Sequence, residues 1–320
     1  MIAGLSITVP GGIRVLLVRY TSDGDRLVAS ASKLSLSRKD LGLLLELDTR
    51  EVDEWIRETL RRAHFSPWEH SSYTWIAEGC SRVCSHQLVR HRVASYTQQS
   101  MRYTEGVLRG IALEASRLLG EDCPSKPGKN QESMRTAYSC YSRVLDKASR
   151  ELDTETQYGL AIKAYVVPPS IKREALVGYV SYLLGASSHY YRLLSHGVPR
   201  EDARFIIPHS VRTRIIVTMN ARELIQSFLP LRMCTRAQWE IRRVAWGLWS
   251  LLMRVHPRLF KWAGPRCVMG ENLQRREPVE LADLAAGREE FMIEACPELV
   301  PRKGIRACLL SAMRDALGDT

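Results

Sequence analysis

The spacing of hydrophobic and polar residues predicts alternating strands and helices along most of the chain. The segment 13–20 is rich in aliphatic and β-branched residues, which is typical of a strand. Asp48, with Glu51 three residues later, has the pattern of a helix N-cap and its reciprocal partner. Further strands are predicted at 71–77 and 214–219, and further helices after Asp23-Gly24 and at 80–90, 170–196, 221–229 and 237–255. This mixture predicts an α+β (mixed α/β) fold.

Two stretches depart from this pattern. Residues 105–165 begin with a loop-like run of Pro, Gly and charged residues and continue as polar sequence with helical spacing. We expect a helical surface insertion there and not a separate domain. Beyond 265, Pro, Gly and charged residues mix without a usable periodicity. The predicted organisation is therefore one domain over 1–264, with the insertion at about 105–165, and a C-terminal extension over 265–320.

Composition and charge narrow the class of protein. The 320 residues are 45% hydrophobic and 25% charged, as in ordinary globular proteins. The first residues do not resemble a signal peptide, and no apolar run reaches membrane-spanning length, so we expect a cytoplasmic protein. The formal net charge of +11 and the excess of Arg over Lys suit anionic partners, since a guanidinium matches a phosphate with paired hydrogen bonds. Nucleic acids and phosphorylated small molecules both fit.

The eight cysteines are scattered and form no Cys-x-x-Cys pair. Cys80 and Cys84 could share a helix face near His86, which would suit a metal ion. Scattered cysteines are more often small buried hydrophobic residues, and we expect that here, with no metal site. In an ordinary cytosol the thiols would be reduced, and disulfides would be expected only in a hyperthermophile.

The segment 87–103 holds the most informative cluster of polar residues. It contains three consecutive basic residues, Arg90-His91-Arg92, and Gln87 would share a helix face with Arg90. If 98–103 is extended, three donors point to one face and suit phosphate oxygens and a pyrimidine edge. These donors are Gln98, Ser100 and Arg102. A solvated basic turn fits the spacing equally well.

The same segment resembles the signature of the flavin-dependent thymidylate synthases. The pattern consists of Arg90-His91-Arg92, seven further residues and then Ser100, with Arg102-Tyr103 beyond. Other blocks resemble family segments and follow in the family's order, at 64–70, 197–208, 220–232 and 237–242. The resemblance covers about 13–105 and 165–265. It implies a central, antiparallel-rich sheet flanked by long helices.

The resemblance also implies a reaction and its cofactors. Members of the family convert dUMP to dTMP. The carbon comes from 5,10-methylene-tetrahydrofolate. The hydride comes from reduced FAD, which NADPH regenerates, because no side chain can donate a hydride. No cysteine acts as a nucleophile in this family, so the protein contributes positioning and electrostatics. Members are homotetramers whose active sites combine residues from several subunits. We expect the same here, with no nucleic-acid or membrane partner.

Individual residues receive roles from the same resemblance. Arg232 would lie against the uracil ring and favour its N3-ionised form, which makes it the candidate catalytic residue. The residues expected to bind dUMP are Gln87, Leu88, Val89, Arg90, Gln98, Gln99, Ser100, Met101, Arg102, Arg204 and Arg232. Those expected to bind FAD are His70, Ser72, Arg90, His91, Arg92, Gln98, Asn220, Arg222 and Gln226. Asn220 could equally be a helix N-cap and His70 a core histidine.

Some positions depart from the family pattern. Thr97 and Gln98 stand where the family commonly has Asn and Glu. Between Asn220 and Arg232 the chain is one residue longer, around Gln226-Ser227, so we expect a bulge in that helix. Either Gln226 or Ser227 could then take the flavin-contact place. Two alternative functions stay open: a flavoprotein of the same fold that lacks synthase activity, and, because of the net charge of +11 and the arginine clusters, a basic nucleic-acid-binding protein.

Overall fold

The computed structural model describes residues 4–34, 42 and 46–318. The chain divides into two compact units. Unit 1 comprises the described residues of 1–78, 86–97 and 215–320, and unit 2 comprises 79–85 and 98–214. Residues 105–165 lie within unit 2. The predicted boundary at 264 and the interpretation of 105–165 as an insertion stay predictions.

Among the described residues, five strands form one sheet in the order β1-β2-β3-β5-β4. They are β1 Leu5–Val9, β2 Ile13–Tyr20, β3 Ser72–Ser81, β4 Ala94–Gln98 and β5 Arg212–Asn220. β1 pairs with β2 and β2 with β3 in antiparallel orientation, which agrees with the predicted antiparallel-rich sheet. Alternate residues of β5 are buried at Ile215, Val217 and Met219, because successive side chains of a strand point to opposite faces.

Helices make up most of the remaining structure. In chain order they are α1 Gly24–Leu34, α2 Thr49–Arg61, α3 Arg82–Leu88, α4 Gly106–Leu118, α5 Gln131–Glu151, α6 Thr154–Ala164, α7 Glu174–Ser195, α8 Arg200–Ala203, α9 Ala221–Glu223, α10 Leu229–Arg232, α11 Trp239–Val255, α12 Pro257–Phe260, α13 Arg266–Gln274, α14 Leu281–Ala286 and α15 Arg302–Leu317. Short 3-10 helices cover Ser66–His70 and Arg204–Ile206, and a π turn over Leu224–Phe228 joins α9 to α10. No helix in the described ranges is long and apolar enough to span a bilayer.

The start of α2 confirms the predicted capping box. Asp48 Oδ1 accepts a hydrogen bond from the Glu51 amide at 2.8 Å, and the Asp48 amide donates to Glu51 Oε2 at 3.3 Å. Two amides at the helix N-terminus, which have no partner inside the helix, are satisfied in this way. The predicted strand at 13–20 and the helix after Gly24 are also confirmed.

Unit 2 has its own core, in which α5 and α7 pack along each other. Tyrosines contribute much of it: Tyr141, Tyr190 and Tyr191 are nearly inaccessible to solvent. A disulfide joins Cys123, in the loop after α4, to Cys140 in α5. Reduced thiols were expected for an ordinary cytosol and disulfides only for a hyperthermophile; this pair is joined, with its Cα atoms 5.7 Å apart, within the range that a disulfide needs. The other six cysteines are free thiols.

The segment after 265 is more ordered than its sequence indicated, because it contains α13, α14 and α15. Helix α15 buries Ile305, Leu309, Ala312 and Ala316. It packs against α11, where Asp315 forms ion pairs with Arg242 at 2.7 Å and Arg243 at 3.2 Å. The C-terminal extension is thus an integral part of unit 1.

Candidate active site

The end of β5 and the helix that follows bring several predicted FAD-binding residues together. Asn220 Oδ1 accepts a hydrogen bond from the Glu223 amide at 2.8 Å, so the N-cap prediction is confirmed. The Ala221 amide donates to the Ser71 carbonyl at 2.7 Å, which joins this corner to the start of β3 and to the exposed Ser72. Arg222 contacts Glu69 and donates to Gln226 Oε1 at 2.8 Å.

The bulge expected near Gln226-Ser227 is confirmed as the π turn Leu224–Phe228. The Leu229 amide donates to the Leu224 carbonyl, five residues earlier, where an α-helix would use a four-residue step. The wider turn accommodates one more residue than an α-helical turn. Its two central polar side chains have different surroundings: Gln226 is exposed, whereas Ser227 lies 2.9 Å from His91 Nδ1.

His91 is the only member of its basic triplet that is buried, with 4% of its surface exposed. Its Nε2 accepts a hydrogen bond from Arg232 Nε at 2.9 Å, and its Nδ1 lies 3.4 Å from Glu223 Oε1. Burial and then the positive charge of Arg232 lower the His91 pKa to about 4. The imidazole is therefore neutral near pH 7, and because Nε2 accepts from Arg232 its proton resides on Nδ1.

Hydrogen bonds from its guanidinium hold the Arg232 side chain in place. Besides the bond to His91, its Nη2 donates to the Gln87 carbonyl at 3.2 Å. The carbonyls of Leu88 and His91 lie 2.9 and 2.6 Å from the Tyr96 hydroxyl, which secures the turn between α3 and β4. Burial raises the Tyr96 pKa, so that hydroxyl stays protonated. A guanidinium held by these hydrogen bonds is oriented before any ligand arrives.

Two expectations about local geometry are wrong. Helix α3 ends at Leu88 and the Arg90 amide turns back to the Gln87 carbonyl at 3.3 Å, so Gln87 and Arg90 do not share a helix face. Residues 98–103 are not extended, because β4 ends at Gln98. The Ser100 carbonyl accepts from the Tyr103 and Thr104 amides at 3.3 and 3.1 Å, which forms a turn. Gln98, Ser100 and Arg102 therefore do not line one face of a strand.

Within unit 2, the predicted dUMP-binding arginines meet at Glu201. Arg102 Nη2 pairs with its carboxylate at 2.7 Å, and Arg204 Nε donates to its carbonyl at 3.1 Å. Sequence reasoning missed Arg82, which donates to the Gln99 carbonyl at 3.1 Å. Burial, followed by the nearby charge of Arg204, lowers the Arg82 pKa. This excess of guanidinium groups suits a phosphate.

The other predicted unit 2 residues have local contacts. Gln98 Nε2 donates to Ser85 Oγ at 2.8 Å and Thr213 Oγ1 at 3.2 Å. Met101 packs against the unit 2 core.

Among the predicted site residues of unit 1, Leu88 is buried, while His70, Val89, Arg90 and Arg92 are exposed. Among the residues that the structure describes, no group of three or more His, Cys, Asp or Glu could hold a metal ion.

Within each unit, taken by itself, the guanidinium groups suit an anionic ligand that offers hydrogen-bond acceptors, as a nucleotide does. Residues 16–258 match the family described as "Thymidylate synthase complementing protein". The flavin-dependent thymidylate synthase of Aeropyrum pernix is 55% identical over 303 residues, 94% of this chain and 93% of that protein. The enzyme of the same name from Sulfolobus acidocaldarius is 38% identical over 301 residues, 94% of this chain and 95% of that protein.

A solved structure has the same fold. The flavin-dependent thymidylate synthase of Helicobacter pylori, complexed with FAD and dUMP, aligns with a TM-score of 0.54. The alignment covers 78% of this chain and 99% of that one at 23% identity. The chain belongs to the flavin-dependent thymidylate synthase family.

Proposed function

We propose that this chain catalyses the reductive methylation of dUMP to dTMP. The carbon donor is 5,10-methylene-tetrahydrofolate, and the hydride comes from FAD that NADPH has reduced. Relatives as similar as 55% identical are flavin-dependent thymidylate synthases, and the solved Helicobacter pylori structure holds both FAD and dUMP. The observation that carries the proposal is the bond between Arg232 and the neutral His91, because it holds a permanent positive charge in a fixed orientation.

The chemistry of the donor set in unit 1 fits FAD. Arg90 and Arg92 are exposed, and the Arg222 side chain is 46% exposed, so guanidinium groups are accessible to a diphosphate. Gln226, beside Arg222, can exchange hydrogen bonds with the polar edge of the flavin ring. FAD, when bound, supplies the hydride. The proposed FAD-binding residues remain those named from the sequence.

The role of Arg232 follows from its charge and its fixed geometry. A guanidinium does not lose its proton near pH 7, so it stabilises the N3-ionised form of uracil, which raises the electron density at C5. His91 adds no second charge, because it is neutral. In unit 2, Arg102 and Arg204 are proposed to bind the nucleotide phosphate, which would replace Glu201 as the partner of Arg102.

A turnover assay tests the proposal. The purified chain is supplied with dUMP, methylene-tetrahydrofolate, FAD and NADPH, and dTMP is measured by chromatography. Removing one preorganised charge-stabilising group lowers kcat by about 10²–10³, and we expect that loss for Arg232→Ala. Arg254→Ala, which removes an exposed guanidinium of α11, is the matched control and should retain full activity.

The outcomes separate this proposal from its alternatives. Undiminished turnover of Arg232→Ala would remove the assigned role. Bound FAD without dTMP formation would favour a flavoprotein that lacks synthase activity. A colourless protein with salt-dependent affinity for nucleic acid would favour the nucleic-acid-binding alternative. A homotetramer with shared active sites, a preference for NADPH and a cytoplasmic location stay predictions.

A further inference from the structure

The contacts of His91 continue beyond Arg232 to two residues of the helix that follows β5. Ser227 Oγ lies 2.9 Å from His91 Nδ1. Glu223 lies 3.4 Å from the same nitrogen and has only 11% of its side chain exposed. Burial raises the Glu223 pKa, and a hydrogen bond from the Ser227 side chain opposes that rise. The resemblance to the family gives Glu223 no role in the site, whereas Ser227 is one of the two residues that could take the flavin-contact place.

The donors and acceptors along this chain have one consistent direction. Arg232 Nε always carries a hydrogen, so His91 Nε2 must accept. A neutral imidazole then carries its proton on Nδ1 and donates it to Ser227 Oγ. The Ser227 hydroxyl hydrogen is left to be donated to the Glu223 carboxylate. Each bond therefore fixes the direction of the next.

The π turn supplies this arrangement. It contains Ser227 and ends at Phe228, whose ring meets the His91 ring edge-on at a centroid distance of 5.1 Å. Glu223 lies directly before the turn, and its amide is held by the Asn220 cap. One helical segment thus contacts the imidazole through a hydroxyl, a carboxylate and an aromatic ring. Both the position and the tautomer of His91 are set by that segment.

We propose that Glu223 and Ser227 are positioning residues that orient Arg232 through His91. Without the acceptor at Nδ1, the imidazole proton could move to Nε2, where it would face the Nε–H of Arg232. Two donors cannot bond each other, so the guanidinium would lose its hydrogen bond to His91. The inference rests on the proposed function, since it assumes that the orientation of Arg232 limits turnover.

A double-mutant cycle tests the inference. Ser227→Ala should lower kcat by about tenfold, the rate equivalent of one hydrogen bond, with little change in the KM for dUMP. Ser227→Thr, which keeps a hydroxyl, should retain most of the activity. In an Arg232→Lys background, where the Nε–H is absent, Ser227→Ala should have little further effect, because residues that act through one another are not additive.

The control is Ser250→Ala in α11, which removes a helical serine hydroxyl that donates to the Gly247 carbonyl and should leave kcat unchanged. Equal losses from Ser227→Ala in both backgrounds would show a merely structural role and overturn the inference, as would full activity of Ser227→Ala. If Ser227→Ala does not fold, Glu223→Gln enters the same cycle with the same expectations. An inactive wild-type protein would instead refute the proposed function, so the two failures are distinguishable.

Discussion

The disulfide between Cys123 and Cys140 allows a quantitative prediction that does not depend on the reaction. The bond links residues 17 positions apart, and so restricts the unfolded chain. For a loop of this length, the loop-closure relation gives about 3 kcal/mol of stabilisation at 25 °C. Both side chains are nearly buried, at 8% and 6% exposed, so alanine is a better replacement than a residue with a hydroxyl. We expect Cys123→Ala/Cys140→Ala to lose about 3 kcal/mol of unfolding free energy.

The assay is denaturant-induced unfolding followed by circular dichroism, without reductant. A thiol reductant should lower the stability of the wild-type protein toward that of the double variant and leave the variant itself unchanged, which provides the control. Thiol counting after unfolding should find six free cysteines in the wild-type protein. Equal unfolding free energies for the two proteins under oxidising conditions would refute the reasoning.

Two further predictions concern stability. The pKa of His91 is about 4 in the folded protein and near 6.5 in the unfolded chain. As the pH is lowered from 6.5 to 4, the unfolded chain binds the proton first, so the free energy of unfolding should fall by up to about 1.4 kcal/mol per pH unit. Below pH 4 this contribution should level off. Unfolding measured from pH 7 to pH 4 would show this slope, and an unchanged slope in His91→Gln would contradict the assignment. Asp48→Ala should cost about 1 kcal/mol through loss of the α2 cap, whereas Asp48→Asn should stay near wild type. Equal losses in both, measured by denaturant unfolding, would show that the cap is not the cause.

Local sequence patterns predicted many of the strands and helices, because these elements depend mainly on interactions between residues that are close in sequence. Examples are the strand at 13–20, which follows from its run of aliphatic and β-branched residues, and the start of α2, which follows from the spacing of Asp48 and Glu51. The residue near Gln226-Ser227 that is extra relative to the family pattern predicted a bulge, because a π turn is one way in which a helix accommodates an inserted residue. The prediction that residues 98–103 are extended was wrong. Backbone hydrogen bonds to the Ser100 carbonyl form a turn there, and the alternation of side chains along the sequence does not reveal such bonds.

Other features depend on contacts between distant segments, and the sequence alone could not reveal them. The pairing of Cys123 with Cys140 is one of many pairings that eight cysteines allow. Helix α15 does carry helical spacing, but two of its four buried residues are alanines, so its hydrophobic stripe is weak. Arg82 and Glu223 resemble ordinary surface charges until the fold shows what surrounds them.

The ion pairs between α11 and α15 bear on how this protein can be shortened. The Arg242 and Arg243 side chains are only 12% and 11% exposed, and Asp315 contacts both. A version cut at the limit of the family match, near 258, would remove Asp315 together with α15, so both guanidinium groups would lose their shared anion and the surface of α11 that α15 covers would become exposed. Crystallisation or expression variants should therefore retain the last helix, or replace both arginines together with it.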